Sequence, residues 1–511
     1  MNTKRIGALT LLLCLSLTAC TAPKQEALPA ATLPPVIDDV VAPIGDAALF
    51  AEETVALYLP SRDGQRLTCQ YETLTLNQGR HPAEAVARAL LAHPGNDAAA
   101  PIGGPVTLQL AASDPIELSG SVCTVNLMPS ALQLDHADLY AACLCLTTTL
   151  CELPGIEAVN VLIAGQAIAL DVANRLPLGA QSAHAGAELA VMWSQMDARR
   201  VPVGSDPSTA PLTAAATLYY PLAEGDGVVP EVRTLSFAGQ RPEQLIQTLL
   251  DALSVDPMRH REAVALPSLA ELLASEPAVT DLETGGRMVS LRFQSSLEAA
   301  LRLRGIDMAN FAASLTCTLT TFVPSLASVQ LSVGGQPLTS AYSPVMGSQL
   351  FPGGVTRRTD FAAFVRAQTV VYLPRYGRLE AVVRRLPDEE AWHPRTLLLT
   401  LIAGPTQAER DAGFSPLLPD SLTDADILGL SLTGDTLLVN FSARAAETIA
   451  GSDLDQHLMC RGLVGALCEL TGARRVRFFF GGDPAETLNG PIFWGGEFLY
   501  SPHLTDTTGG E

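Results

Sequence analysis

Lysine is nearly absent from this chain. Its 511 residues include two, Lys4 and Lys24, so almost all positive charge is arginine. With 32 basic against 53 acidic residues, the formal net charge is −21. Such a surface repels phosphate backbones, which argues against a nucleic-acid partner and against a polybasic membrane contact. Catalytic signatures are missing as well. There is no Gly-x-Ser-x-Gly elbow, no His-Glu-x-x-His and no glycine-rich phosphate loop with its lysine. The cysteines lack Cys-x-x-Cys spacing, and Asp453 and Asp455 lack the rest of a calcium loop. Acidic pairs such as Asp38-Asp39, Glu52-Glu53 and Glu389-Glu390 are adjacent in sequence. On a strand such neighbours point to opposite faces and do not converge on one bond. No catalytic residue, metal or cofactor is expected, and an enzyme ranks behind non-catalytic roles.

What is abundant is apolar sequence. The chain is 48% hydrophobic and 17% charged, enough to bury several cores. The N-terminus carries an address. Lys4-Arg5 precede a short apolar run over residues 6–17, and Leu17-Thr18-Ala19-Cys20 follows. This looks like a bacterial lipobox: residues 1–19 are a lipoprotein signal peptide, and the Cys20 thiol is the lipidation site. No later run reaches the length of a membrane span. The expected location is extracytoplasmic, held at the outer face of the cytoplasmic membrane by lipid on Cys20. Residues 20–53 are rich in alanine and proline and read as a tether.

A cassette then recurs three times. The stretch 140–165 is an apolar helix, a break at Pro154-Gly155, a strand with Val159, Val161 and Ile163 on one face, and a closing Gly165. It returns over 311–336 and again over 458–483, closing at Gly335 and Gly482. The recurrence is an internal repeat. In front of each cassette lie a hairpin, a helix opened by His81-Pro82, Arg241-Pro242 or His393-Pro394, and a second hairpin. Each unit therefore reads β-β-α-β-β-α-β. The fold class is α+β: three tandem repeats, each a small mixed sheet with two helices packed on one face. The boundaries are domain 1 over 54–170, a connector over 171–213, domain 2 over 214–340, a connector over 341–367, domain 3 over 368–485 and a tail over 486–511. Each connector holds a short helix, around 188–196 and 361–365, and is apolar enough to pack on the domains. The tail, with Phe493, Trp494, Phe498 and Tyr500, suits a last strand covering the third domain.

Beyond Cys14 and Cys20, eight cysteines fall inside apolar elements. Cys143 and Cys151 are eight apart on one helix, about 12 Å by helical rise, beyond the roughly 7 Å limit for a bridge. Cys460 and Cys468 repeat that spacing. In the second copy Ala313 and Thr321 are taken to fill those places, so small size, not sulfur chemistry, is the shared requirement. A bridge between elements stays open for an extracytoplasmic chain. His81 and His393 share a helix start, an odd place for a cation given the positive end of the dipole, and packing or backbone geometry accounts for them. The most repeated polar side chain is the first-strand tyrosine: Tyr58, Tyr219 and Tyr372. It is either a strand aromatic whose hydroxyl reaches the surface or part of an interface used by a partner strand.

These residues carry a family resemblance. An aliphatic-Tyr strand, a polar turn, a second strand ending near an arginine (Arg233, Arg384) and a helix ending in Gly404-Pro405 resemble the opening half of the GerMN domain. That family is named for a spore germination and sporulation lipoprotein. The cassette resembles the closing half. Repeat one departs with Glu72 and His93-Pro94, repeat two lacks the Gly-Pro, and three copies stand where sporulation members usually have two. The resemblance implies a fold like ring-building modules and a non-catalytic envelope scaffold linked to sporulation, germination or cell-wall assembly. The implied partners are envelope proteins, with homo-oligomers through sheet edges and no nucleic acid. The alternative is a solute- or glycan-binding lipoprotein serving a transporter or cell-wall hydrolase.

Overall fold

The computed structural model describes residues 40–168, 179–183, 207–223, 227–260, 262–343, 347–485 and 487–500. The signal segment, Cys20 and the region around 188–196 lie outside them.

In each repeat the first hairpin stands apart from the other strands. It is formed by β2 (Phe50–Pro60) and β3 (Leu67–Asn77), by β8 (Leu212–Pro221) and β9 (Val228–Phe237), and by β17 (Arg366–Arg375) and β18 (Arg378–Pro387). The remaining strands make a separate mixed sheet, so the small sheet of each module is divided in two. In the first module β4 (Ile116–Ser119), β5 (Val122–Leu127) and β6 (Ala158–Ile163) lie side by side. β4 is antiparallel and β6 parallel to β5. The same pattern recurs with β10 (Ala278–Asp281), β11 (Arg287–Phe293) and β12 (Leu326–Val333), and with β19 (Ile427–Thr433), β20 (Thr436–Phe441) and β21 (Arg475–Phe480). A parallel pair needs a crossover. The cassette helix supplies it: α2 (His136–Leu150), α4 (Met308–Phe322) and α6 (Gln456–Thr471). Each crossover helix contacts both its hairpin and its mixed sheet.

The helix ends follow local chemistry. Asp135 caps α2 by accepting from the Asp138 amide at 2.8 Å, and Asp455 caps α6 through the His457 and Leu458 amides. Pro242 and Pro394 sit at the first positions of α3 (Pro242–Leu253) and α5 (Pro394–Ala403), where a missing N–H is harmless. α6 stops at Gly472 with φ of 71°, a left-handed conformation open to glycine. The first helix of the first module, α1 (Ala83–Ala92), buries Val86, Ala87, Leu90 and Leu91.

One core forms per module, and each recruits side chains from elsewhere. Phe351, Phe361, Phe364 and Val365 of the second connector join the middle core. A 3-10 turn spans Arg358–Phe364, close to where a connector helix is expected. Leu49 and Trp494 join the third core. The tail adds β22 (Glu497–Leu499), antiparallel to β21.

The tether is structured at its far end. β1 (Gly45–Ala48) lies parallel to β19 in the third module, with Gly45 beside Gly429 and Ala48 beside Ser431. A Cβ on Gly429 would come within 2.6 Å of the Gly45 amide nitrogen, so only glycine admits the strand. Asp46 holds Arg395 with two contacts, at 2.5 and 3.0 Å, and Asn440 donates to the Pro43 carbonyl at 2.9 Å. An unstructured spacer to residue 53 therefore needs correction: a spacer cannot hold a strand pairing, and this end of it has one.

Candidate functional site

The repeated tyrosines locate the most elaborate polar chemistry. Their hairpin strands would leave an edge bare, and the crossover helices cover it. The Tyr58 amide donates to Thr149 Oγ1 and the Tyr219 amide to Thr318 Oγ1, both at 2.9 Å. Ser314 Oγ donates to the Tyr219 carbonyl at 2.5 Å. Threonine and serine are weak helix formers in an apolar interior. Here their hydroxyls satisfy backbone groups of an edge that would otherwise be buried unpaired. In the third module Ala466 and Gly462 stand at those positions, and a Cβ at the neighbouring Gly465 would meet the Tyr372 ring at 3.3 Å. These bonds also correct the alignment of the second cassette. With Thr318 opposite Thr149, Ala312 and Thr320 stand opposite Cys143 and Cys151, not Ala313 and Thr321.

The hydroxyls reveal a difference. Tyr58 donates to Glu152 at 3.1 Å, and Tyr372 donates to Glu469 at 2.5 Å. Tyr500 of the tail also donates to Glu469, at 2.7 Å. Each glutamate follows the last cysteine of its own cassette. The middle module has Thr321 at that position. Its Tyr219 turns to the first module and donates to Glu117 of β4 at 3.0 Å. Arg358 of the second connector completes the cluster. It donates to the Tyr219 hydroxyl at 2.7 Å, to the Cys317 carbonyl at 3.2 Å, and to Glu117 and Thr321. Its side chain is 12% exposed and that of Glu117 19%. Burial raises the Tyr219 hydroxyl pKa well above the ordinary tyrosine value, with Arg358 opposing. The arginine is held charged by Glu117 against its own burial.

Tyr219 therefore lies in an interface between modules of one chain, whereas Tyr58 and Tyr372 lie in locks within their modules. Further bonds join the modules. Thr217 donates to Asn160 at 3.1 Å, Ser119 to the Arg366 carbonyl, and Arg259 meets Glu157 at 2.8 Å. Arg385 of the third module pairs with Glu262 and lies 3.3 Å from His260 Nδ1, both in the second. A Cβ on Gly120 of the first module would rest 3.7 Å from the His260 ring, so all three modules meet there.

Sequence reasoning found the tyrosines but missed Glu117, Arg358, Glu152 and Glu469. A signal was present in the repeated Cys-Glu of Cys151-Glu152 and Cys468-Glu469. The second-strand arginines prove structural. Arg233 meets Glu231 at 2.6 Å and the Asp256 carbonyl beyond α3, and Arg384 pairs with Glu409. In the first module Glu72 stands at that position and meets His93 Nε2 at 3.2 Å.

Among the described residues no disulfide joins the eight cysteines from Cys69 onward. Burial pushes Cys143, Cys317, Cys460 and Cys468 up to about 12, where a thiol is a poor nucleophile. Among the described residues no group of three or more His, Cys, Asp or Glu side chains could hold a metal ion. No described helix is long and apolar enough to cross a membrane.

A family model described as Germane, sporulation and spore germination, matches residues 217–339 and 370–486. These are the second and third modules. Among solved structures, the chain is similar to the tandem GerMN domains of the sporulation protein GerM from Bacillus subtilis. The identity is 20% and the TM-score 0.21, covering 56% of this chain and 92% of that one. It is also similar to the first GerMN domain of the same protein, at 20% identity and a TM-score of 0.18, covering 26% and 92%. No curated protein matches.

Proposed function

We propose, from the premise that the chain is a GerMN-domain protein, that it is a non-catalytic scaffold of the cell envelope, anchored by lipid on Cys20. The family match over two modules carries this reading. The lipobox supplies the location, outside the cytoplasm at the membrane. The three modules supply a platform, since they contact one another in every pairing. Burial holds the Cys143, Cys317, Cys460 and Cys468 thiols neutral, and the two capping histidines each spend Nδ1 on a backbone amide. Neither arrangement suits catalysis, which supports a role in assembly.

Partner contact is best supported on the outer strands of the outer hairpins. Among the described residues β3 and β18 each have one strand partner. Tyr71 and Val383 occupy equivalent places on them, opposite Ala56 and Val370, and are 75% and 52% exposed. The equivalent pair in the middle module is Thr217 and Val232, and Thr217 is bonded to the first module. Envelope proteins, or a second copy through such edges, fit this surface.

In-cell crosslinking with mass spectrometry tests the reading. Envelope proteins crosslinked near residues 71 and 383, and lost in the Tyr71→Glu and Val383→Glu variants, are the expected result. Recovery of small solutes or glycans alone would overturn it in favour of a binding lipoprotein. Acyl labelling that survives Cys20→Ser would remove the anchor.

A further inference from the structure

The two His-Pro helix starts meet across the junction of the first and third modules, and each imidazole is built to be neutral. His81 Nδ1 accepts from the Ala83 amide at 3.2 Å, which leaves Nε2–H to donate to the Pro154 carbonyl at 3.3 Å. His393 Nδ1 accepts from the Arg395 amide at 3.1 Å. An imidazolium has no acceptor nitrogen. Protonation would break each cap and set a positive charge against the positive end of a helix. A neutral ring at this position also removes the apparent conflict with the helix dipole.

Both rings are part of the junction. His81 packs edge-on against Trp392 with ring centroids 4.7 Å apart. His393 lies against Gly79, where a Cβ would stand 3.3 Å from its ring. The tether strand is fastened at the same place: Gln78 donates to the Leu49 carbonyl at 2.6 Å, and Asp46 holds Arg395. Facing His81 are the Pro154 carbonyl, the Ala83 amide and the Trp392 ring. Facing His393 are Asp46 of the tether, Arg395 of its own helix and Arg80 of the first module. In the middle module the same position is Arg241, which makes no side-chain cap.

We propose that the His81 and His393 caps form an acid-sensitive clasp that joins the first module and the tether strand to the third module. At neutral pH the clasp is closed. Acid opens this junction while the three module cores stay folded. Burial holds both imidazoles below the ordinary histidine value, with Pro154 partly offsetting it at His81. At His393 Asp46 opposes the shift, and Arg395 and Arg80 add to it. A folded-state value below the unfolded one means that the contribution is present above about pH 6.5. It is lost as pH falls through the folded value.

The test is hydrogen exchange of the full chain between pH 8 and pH 5, corrected for intrinsic rates, on the wild type and the His81→Asn/His393→Asn double variant. Asparagine keeps a cap acceptor and does not titrate. The expected result is a rise of about tenfold or more in wild-type exchange over residues 45–50, 78–83 and 392–396 on acidification, with none in the double variant. An equal acid response in both proteins, or no response in the wild type, overturns the proposal. If the double variant fails to fold, NMR titration of the two wild-type imidazoles decides instead. The exchange must rise with their protonation, and a rise at another pH overturns the clasp.

Discussion

The outer modules and the middle one solve the same problem differently. In the first and third, the first-strand tyrosine ends on a glutamate of its own crossover helix, Glu152 or Glu469. In the middle, that glutamate is Thr321, and the hydroxyl is satisfied by Glu117 from one module and Arg358 from the connector. The surroundings differ to match. Every residue of α4 from Ala309 to Phe322 is buried, because the second connector packs on its outer side. The repeats keep their cores and diverge where they touch. A lock within a module has become a lock between modules, and the middle repeat now depends on its neighbours.

That dependence can be broken most severely at Arg358. Arg358→Ala leaves Glu117 buried without its counter-charge, and a loss of about 3–5 kcal/mol is expected. It should appear as an earlier transition in urea denaturation of the full chain. Addition of Glu117→Gln should recover part of it, and the comparison fails if the double variant is no better than the single one. Glu469→Ala removes the acceptor shared by Tyr372 and Tyr500 and should cost about 1.5–3 kcal/mol by the same measurement. Glu152→Ala, at the exposed lock of the first module, should stay within about 0.5 kcal/mol. Equal costs at 152 and 469 would show that the tail adds nothing to the third lock.

Alkaline pH sharpens the same contrast. Burial, and then the glutamate bond, push both Tyr58 and Tyr500 up to about 12. Their folded values lie above the unfolded value of about 10. The stability they contribute is therefore full below pH 10 and lost as pH rises toward 12. Absorbance titration should resolve these two as a late-ionising component near pH 12. In Glu469→Ala, Tyr500 should move down while Tyr58 stays.

The repeat was legible because its determinants are local. Pro242 and Pro394 mark helix starts, Gly404 and Gly472 mark helix ends, and alternation in residues 122–127 and 436–441 marks strands buried in each sheet. The order β-β-α-β-β-α-β follows from such signals. Division of the strands into a hairpin and a separate sheet does not, since it depends on which edges the crossover helix covers. The polar junction was hidden for a similar reason. Glu117 and Arg358 each look like ordinary surface charge, and they meet only when modules dock. β1 is the extreme case: Gly-Asp-Ala-Ala has no hydrophobic period, and its pairing comes entirely from the edge of β19.

The sheet of the third module runs β1-β19-β20-β21-β22. Its two outermost strands come from opposite ends of the described chain. During synthesis the first of them emerges long before there is a place for it. Gly45 can meet Gly429 only once β19 has been made, so the seating of the earliest strand waits on the C-terminal module. A chain cut short before β19 would fold its first modules and still carry an unclaimed strand at its front.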